Sequence, residues 1–267
     1  MQKFFSGIAT ALLLTSTAQA ETIVIHAGRV ITDAALPAAG PSTITVIDGK
    51  ISAITSGLTP AQPGVKLIDL STKTVLPGLI DSHVHLSSDP GGDYRSEAVD
   101  PDEWGVVVGA KNARVTALAG FTTVRDLGSA PLVGFVLRDG TAKGLIPGPR
   151  ILSAGTAISI IGGHGDVSGF RPEVNAALDG NNTCTGPAQC AARVREASKR
   201  GADVIKITAT GGVLSQQGRG LGQHFTDEEM SAIVSTAHGL GLKVAAHAHG
   251  ARGIEGAAKA GDRKSTV

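Results

Sequence analysis

His83 and His85 are two residues apart in Val75-Leu76-Pro77-Gly78-Leu79-Ile80-Asp81-Ser82-His83-Val84-His85-Leu86. The apolar run crosses a Pro-Gly pair, resumes at Leu79 and ends in His-x-His. Side chains two apart on a strand share a face. Both imidazoles then aim at one point, and Val84 faces away. Two imidazoles converging at the end of a buried strand can hold a metal ion. They can equally be two polar residues closing a strand before the loop that starts at Ser87.

Lys206 stands inside Val204-Ile205-Lys206-Ile207-Thr208. A lysine in a buried strand loses hydration and is driven toward its neutral form; the other reading is a lysine snorkelling out of the strand end. A neutral amine can add carbon dioxide to become a carbamate, an anion whose two oxygens can bridge two divalent cations. His247 and His249 follow the apolar stretch Val244-Ala245-Ala246. His164 lies in Gly162-Gly163-His164-Gly165-Asp166, where glycines let the backbone approach a ligand closely.

These residues need strands to carry them. Residues 21–75 read as short β-strands, with Asp48-Gly49 as the turn of a hairpin. From Thr74 the pattern alternates strand and helix. Asp100-Pro101-Asp102-Glu103 has the form of a helix start, with Asp100 as cap, and the helix can run to Gly120. Phe121 to Asp126 and Arg150 to Ala154 read as strands, with a helix expected between Pro131 and Lys143. Helices are expected over Pro187 to Arg200, behind a capping box at Thr226-Asp227-Glu228-Glu229, and from Gly253 to Ala260. Such alternation means parallel strands covered by helices, closed into a barrel or open as a doubly wound sheet, with ligands at the carboxyl ends of the strands. No Gly-x-Gly-x-x-Gly follows a first strand, so a dinucleotide site has no support.

The 267 residues, 42% of them hydrophobic, suffice for one large domain or slightly more. A net charge of +1 gives no reason to expect nucleic-acid binding. Residues 1–20 combine Lys3, an apolar stretch to Leu14 and Ala18-Gln19-Ala20, the marks of a signal peptide cleaved after Ala20. The stretch is too short to anchor in a bilayer, since a span needs about 20 residues. A periplasmic or secreted protein, with no membrane partner after cleavage, is expected. Cys184 and Cys190 flank a polar stretch, and in an oxidising compartment a disulfide is the leading reading.

The chain resembles the amidohydrolase superfamily, in its imidazolonepropionase-like branch that includes Xaa-Pro dipeptidases. The resemblance is carried by Pro77 to His85, Gly120 to Asp126, Gly201 to Lys206 and Val244 to Gly250, in that order. It implies a metal-dependent (β/α)8 TIM-type barrel (residues 76–267) with a small N-terminal β-sandwich-like domain (residues 21–75). By position, His83 and His85 resemble ligands of the more buried of two metals, Lys206 the carboxylated bridging lysine, and His247 a ligand of the second metal. His249 would touch substrate or satisfy a structural hydrogen bond, and His164 would lie near the substrate. Asp81, Arg125 and Asp126 would hold the ligands in place. The implied cofactor is a pair of divalent ions, zinc by preference, with manganese and iron left open. The implied reaction is attack of a metal-activated hydroxide on the C–N bond of a small amide or dipeptide substrate.

In that family a further histidine follows a sixth strand and a proton-shuttling aspartate follows an eighth. Five barrel strands are counted before Val267, so the expectation is a partial barrel, cut before strand 6, with impaired hydrolysis and no assigned catalytic acid or base. The alternative is a non-catalytic fragment or an exported metal-binding remnant.

Overall fold

The computed structural model describes residues 21–91, 99–212 and 220–261. The expected signal peptide at residues 1–20 and the last residues, 262–267, lie outside them. The chain divides into two compact units between Pro77 and Gly78.

The first unit is a sheet of β1 (Thr22–Val30), β2 (Ser42–Ile47), β3 (Lys50–Ser56) and β4 (Lys66–Val75) in the order β3-β2-β1-β4. β1 runs parallel to β4, and β2 pairs antiparallel with β1 and β3. Asp48 (φ 48°) and Gly49 (φ 73°) make the β2–β3 hairpin a primed turn, whose twist matches that of the strands. Ala27, Val30 and Ile44 form its buried core.

The second unit alternates strand and helix. Its strands are β5 (Leu79–Val84), β6 (Phe121–Asp126), β7 (Arg150–Ser153), β8 (Val204–Thr208) and β9 (Lys243–His247). β5, β6 and β7 form one parallel sheet, and β8 and β9 another. The segment after β7 joins the two: Ile158 N donates to Lys206 O at 2.8 Å, and Thr208 N donates to Ile158 O at 3.0 Å. The strands therefore follow one another as five consecutive strands of a partial (β/α)8 barrel.

The helices are α1 (Trp104–Leu118), α2 (Val133–Ala142), α3 (Pro172–Ala177), α4 (Pro187–Lys199), α5 (Asp227–Gly239) and α6 (Ala251–Lys259). α1 starts later than Asp100 would set it. Trp104, Gly105 and Val106 donate their N–H groups three residues back, to Pro101, Asp102 and Glu103, so the acidic stretch forms a tight lead-in turn. α5 has the expected capping box: Thr226 Oγ1 accepts from Glu229 N, and Glu229 Oε2 accepts from Thr226 N.

Three apolar clusters hold this unit. One packs Ile205, Ile207, Val244 and Ala246 against Val194, Met230, Ile233 and Val234 of α4 and α5. A second packs Val124 and Ile151 against Ala113 and Leu137 of α1 and α2. A small third joins Leu127, Ala154, Val204 and Ala245. β5 differs from the buried strand expected for His83 and His85. Among the described residues it pairs only with β6, and as the edge of its sheet it leaves Leu79 and Ile80 exposed.

Candidate metal centre

β5 delivers His83 inside the strand and His85 one residue beyond it. Their Nε2 atoms converge to 3.2 Å, as the shared face requires. His85 is pinned from behind. Its Nδ1 donates to Gly128 O at 3.0 Å, so the neutral ring keeps its lone pair on Nε2. Leu127 N donates to Val84 O at 3.0 Å, which brings the loop after β6 to the end of β5. A Cβ on residue 128 would lie 2.9 Å from His85 Cε1, so the site needs glycine there. Asp81 Oδ1 accepts from His83 N at 2.9 Å, and Arg125 Nε donates to Ser82 O at 2.7 Å. Both contacts fix the backbone that carries His83.

Lys206 is 4% exposed in a strand whose five residues are all buried. Ile205 and Ile207 point to the helices, so Lys206 points the other way. Its Nζ comes within 3.3 Å of His83 Nε2. Burial, and then the Arg125 charge, push the lysine down to about 8, which leaves an appreciable neutral fraction near pH 7. The histidines respond alike. His83 is lowered to about 4 by burial and by the charges of Lys206, His85 and Arg125, against a small rise from Asp81. His85 is lowered mainly by burial even though part of its surface is open to solvent; the Gly128 hydrogen bond opposes the shift.

His247 ends β9 and forms a second group. Its ring stacks on His164 with centroids 4.0 Å apart and planes 18° from parallel, and His249 meets its edge at 4.7 Å. Burial, then His164, Lys206 and His249, lower His247 to about 3. Its Nε2 is buried with no hydrogen-bond partner. A Cβ on residue 212 would meet His164 Cε1 at 2.8 Å and His247 Nε2 at 3.0 Å, so Gly212 makes room for the stack. His164 is lowered chiefly by burial, and Lys206 and His85 contribute to that shift, so the two groups share one field.

The structure thus brings His83, His85 and Lys206 together, and gathers His164, His247 and His249 beside them. Among the described residues no three His, Cys, Asp or Glu side chains converge on one point. The donors instead come as two histidine groups with a lysine whose field reaches both. The chemistry of the donor set fits divalent cations: neutral imidazoles that can offer a ring-nitrogen lone pair, and a buried amine that can become an anionic bridge.

Asp126 ends β6 and is fully buried. Burial raises it to about 7. The N–H groups of Leu86 and Gly128 pull it down but lie outside hydrogen-bond geometry, and neither carboxyl oxygen has a hydrogen-bond partner. His224 was not singled out by the sequence. Its Nδ1 accepts from His164 N at 3.4 Å, and the bridge between Thr210 and Gln223, with His224 N donating to Ala209 O at 2.9 Å, brings it there. Cys184 and Cys190 form a disulfide; Cys190 sits in α4 rather than in a polar loop, and both are buried. Among the described residues no helix is long and apolar enough to cross a membrane.

A model of the amidohydrolase family matches residues 74–266. Ochratoxinase of Aspergillus niger is 32% identical over 270 residues, covering 94% of this chain and 55% of that protein. The chain therefore spans about half the length of this relative. A crystal structure of a Xaa-Pro dipeptidase with methionine bound in its active site superposes with a TM-score of 0.79 at 38% identity, covering 90% of this chain and 60% of that one. The crystal structure of A. niger ochratoxinase superposes with a TM-score of 0.76 at 27% identity, covering 91% and 59%.

Proposed function

This chain belongs to the amidohydrolase family, and we propose that it is an exported, metal-dependent hydrolase of C–N bonds in small amides such as dipeptides. The observation that carries the reading is the meeting of His83 Nε2, His85 Nε2 and Lys206 Nζ within 3.3 Å steps, the histidines from the carboxyl end of β5 and the lysine from the middle of β8. Ochratoxinase and a Xaa-Pro dipeptidase among the similar proteins favour an amide or dipeptide substrate.

His83 and His85 would hold one ion and His247 a second, with Lys206 between them. When bound, two divalent ions, zinc by preference, would polarise the scissile carbonyl and acidify a water molecule. The chain's own part is preparation. Burial keeps the imidazoles neutral at pH 7, so no proton need leave them before they donate. The neutral Lys206 amine can bond the carbon of CO2 and release one N–H proton to solvent, leaving a carbamate with two free oxygens. Gly128 O orients His85, and Asp81 and Arg125 hold the strand beneath His83. His249 and His164 line the side from which substrate would approach His247.

A second reading is a metal-binding chain without hydrolytic activity. It is favoured by the absence, among the described residues, of any three His, Cys, Asp or Glu side chains placed together to hold a metal ion. Metal analysis of the purified protein, run beside hydrolysis of a dipeptide panel, separates the two. Bound metal with turnover supports the hydrolase; bound metal without turnover supports the second reading. A chain that takes up no zinc at neutral pH, with CO2 present, overturns both.

A further inference from the structure

We propose that Asn182 is the positioning residue for His164, and that the Cys184–Cys190 disulfide fixes Asn182 for that task. A staple behind the strands would then set the geometry of the His247 half of the centre. The inference rests on the reading of His247 as a metal ligand only for its consequence in metal binding.

Asn182 is 8% exposed and uses both hydrogens of its amide nitrogen. Nδ2 donates to Ala157 O at 2.6 Å and to Gly165 O at 2.8 Å. Its backbone carbonyl accepts from Ser159 N at 3.1 Å, and Cys184 N donates to Ser159 O at 2.9 Å. Residues 182–184 thus run as a parallel partner to the segment after β7, bridged at Ser159 and Thr183. Ser159 Oγ accepts from Gly165 N at 3.2 Å and from Thr208 Oγ1 at 3.0 Å. Gly165 is therefore gripped at both its N–H and its C=O, and residue 164 is placed by its neighbour. The result is the His164 ring lying 4.0 Å from His247.

The disulfide closes this arrangement. It ties residue 184 to α4, and both cysteines belong to the cluster that packs Ile205 and Ile207, the flanks of Lys206. Gly186 N donates to Glu229 Oε1 at 2.7 Å, which fastens the stapled turn to α5 as well. An asparagine suits this position because it can give two hydrogens to two carbonyls that would otherwise be buried without donors. His83 and His85 are held by other partners, Asp81 and Gly128. The two halves can therefore be perturbed separately.

The test uses the full chain, selectively 13C-labelled at histidine, with ring signals assigned by single His→Gln variants. In the metal-free protein Asn182→Ala should shift the His164 and His247 ring signals and leave His83 and His85 in place. Ser159→Ala, which removes the oxygen that accepts from Gly165 N and from Thr208 Oγ1, should shift the same two signals. The Cys184→Ala/Cys190→Ala pair should act in the same direction. Unmoved His164 signals in a folded variant, or equal shifts at all four rings, would overturn the positioning role. Zinc titration adds the functional consequence. Asn182→Ala should weaken the His247-dependent step about 10- to 100-fold and spare the step that depends on His83. If His247→Ala leaves the whole isotherm unchanged, the metal-ligand reading of His247 fails while the ring signals still decide the role of Asn182.

Discussion

Replacing Lys206 with methionine should stabilise the metal-free protein while removing its capacity to bridge two cations. Lys206 is 4% exposed, and its pKa falls from 10.5 to about 8. The folded state therefore disfavours the ammonium by about 2.5 pKa units, or about 3 kcal/mol. Below pH 8 both states carry the proton, and the folded chain bears the whole penalty. Between pH 8 and 10.5 the unfolded chain still holds a proton that the folded chain has released, so wild-type stability rises by about 1.4 kcal/mol per pH unit. Methionine has similar bulk and no charge. Urea unfolding with a chelator present, followed by the fluorescence of the single Trp104 in α1, measures the difference. Lys206→Met should be more stable than wild type by about 3 kcal/mol at pH 7, with the gap narrowing by pH 9. Equal stabilities at pH 7, or a gap that widens with pH, would show that the ammonium reaches solvent and would refute the buried-amine argument.

Gly128→Ala places a Cβ 2.9 Å from His85 Cε1 and must rotate the ring or shift the loop; zinc affinity measured by calorimetry should fall about 10- to 100-fold. With His83 at about 4 and His247 at about 3, protons should begin to compete for these rings only near pH 4, so zinc binding followed from pH 7 to pH 5 should not show the loss near 6.5 that ordinary histidines would give. The same depressed values make the metal-free fold lose stability as pH falls from 6.5 toward 4, because the unfolded chain takes up protons first; chemical denaturation at pH 7 and pH 5 should show this direction. Thr226→Ala removes the oxygen that accepts from Glu229 N and should cost about 1 kcal/mol in urea unfolding.

The strands of the second unit were legible because each is a short apolar run bounded by glycine. Phe121–Asp126 begins after Gly120, whose φ of 99° ends the preceding helix, and Val204–Thr208 follows Gly201 in the same way. Side-chain parity then placed His83 beside His85. What local pattern could not supply was whatever depends on distant chain. The start of α1 was misplaced because Asp100-Pro101 has the form of a cap, while tertiary context starts the helix at Trp104. His224 was missed because nothing in its local sequence sets it apart; long-range pairing at Gln223 carries it to His164. Asn182 was invisible for the same reason: its partners at 157 and 165 lie 25 and 17 residues away. The exposure of β5 followed from its place at a sheet edge, which no run of twelve residues encodes.

The apolar clusters behind the strands bear on when the histidines can act together. His83 and His85 follow a strand whose neighbours pack on α1 and α2, whereas Lys206 and His247 stand on strands that pack on α4 and α5. The small group of Leu127, Ala154, Val204 and Ala245 joins these interiors, together with Phe135, which α2 sends into the α4–α5 cluster, and the Arg138–Asp203 ion pair. Proteins open in cooperative blocks whose free energies differ. A parting along the line between β7 and β8 would separate Lys206 from His83 while both blocks kept their helices. Hydrogen exchange should register such an opening at the amides of Asp203, which donates to Ser153 O, and of Ser153, which donates to Asp203 Oδ2, and the same opening would set how long a bridging ion can stay.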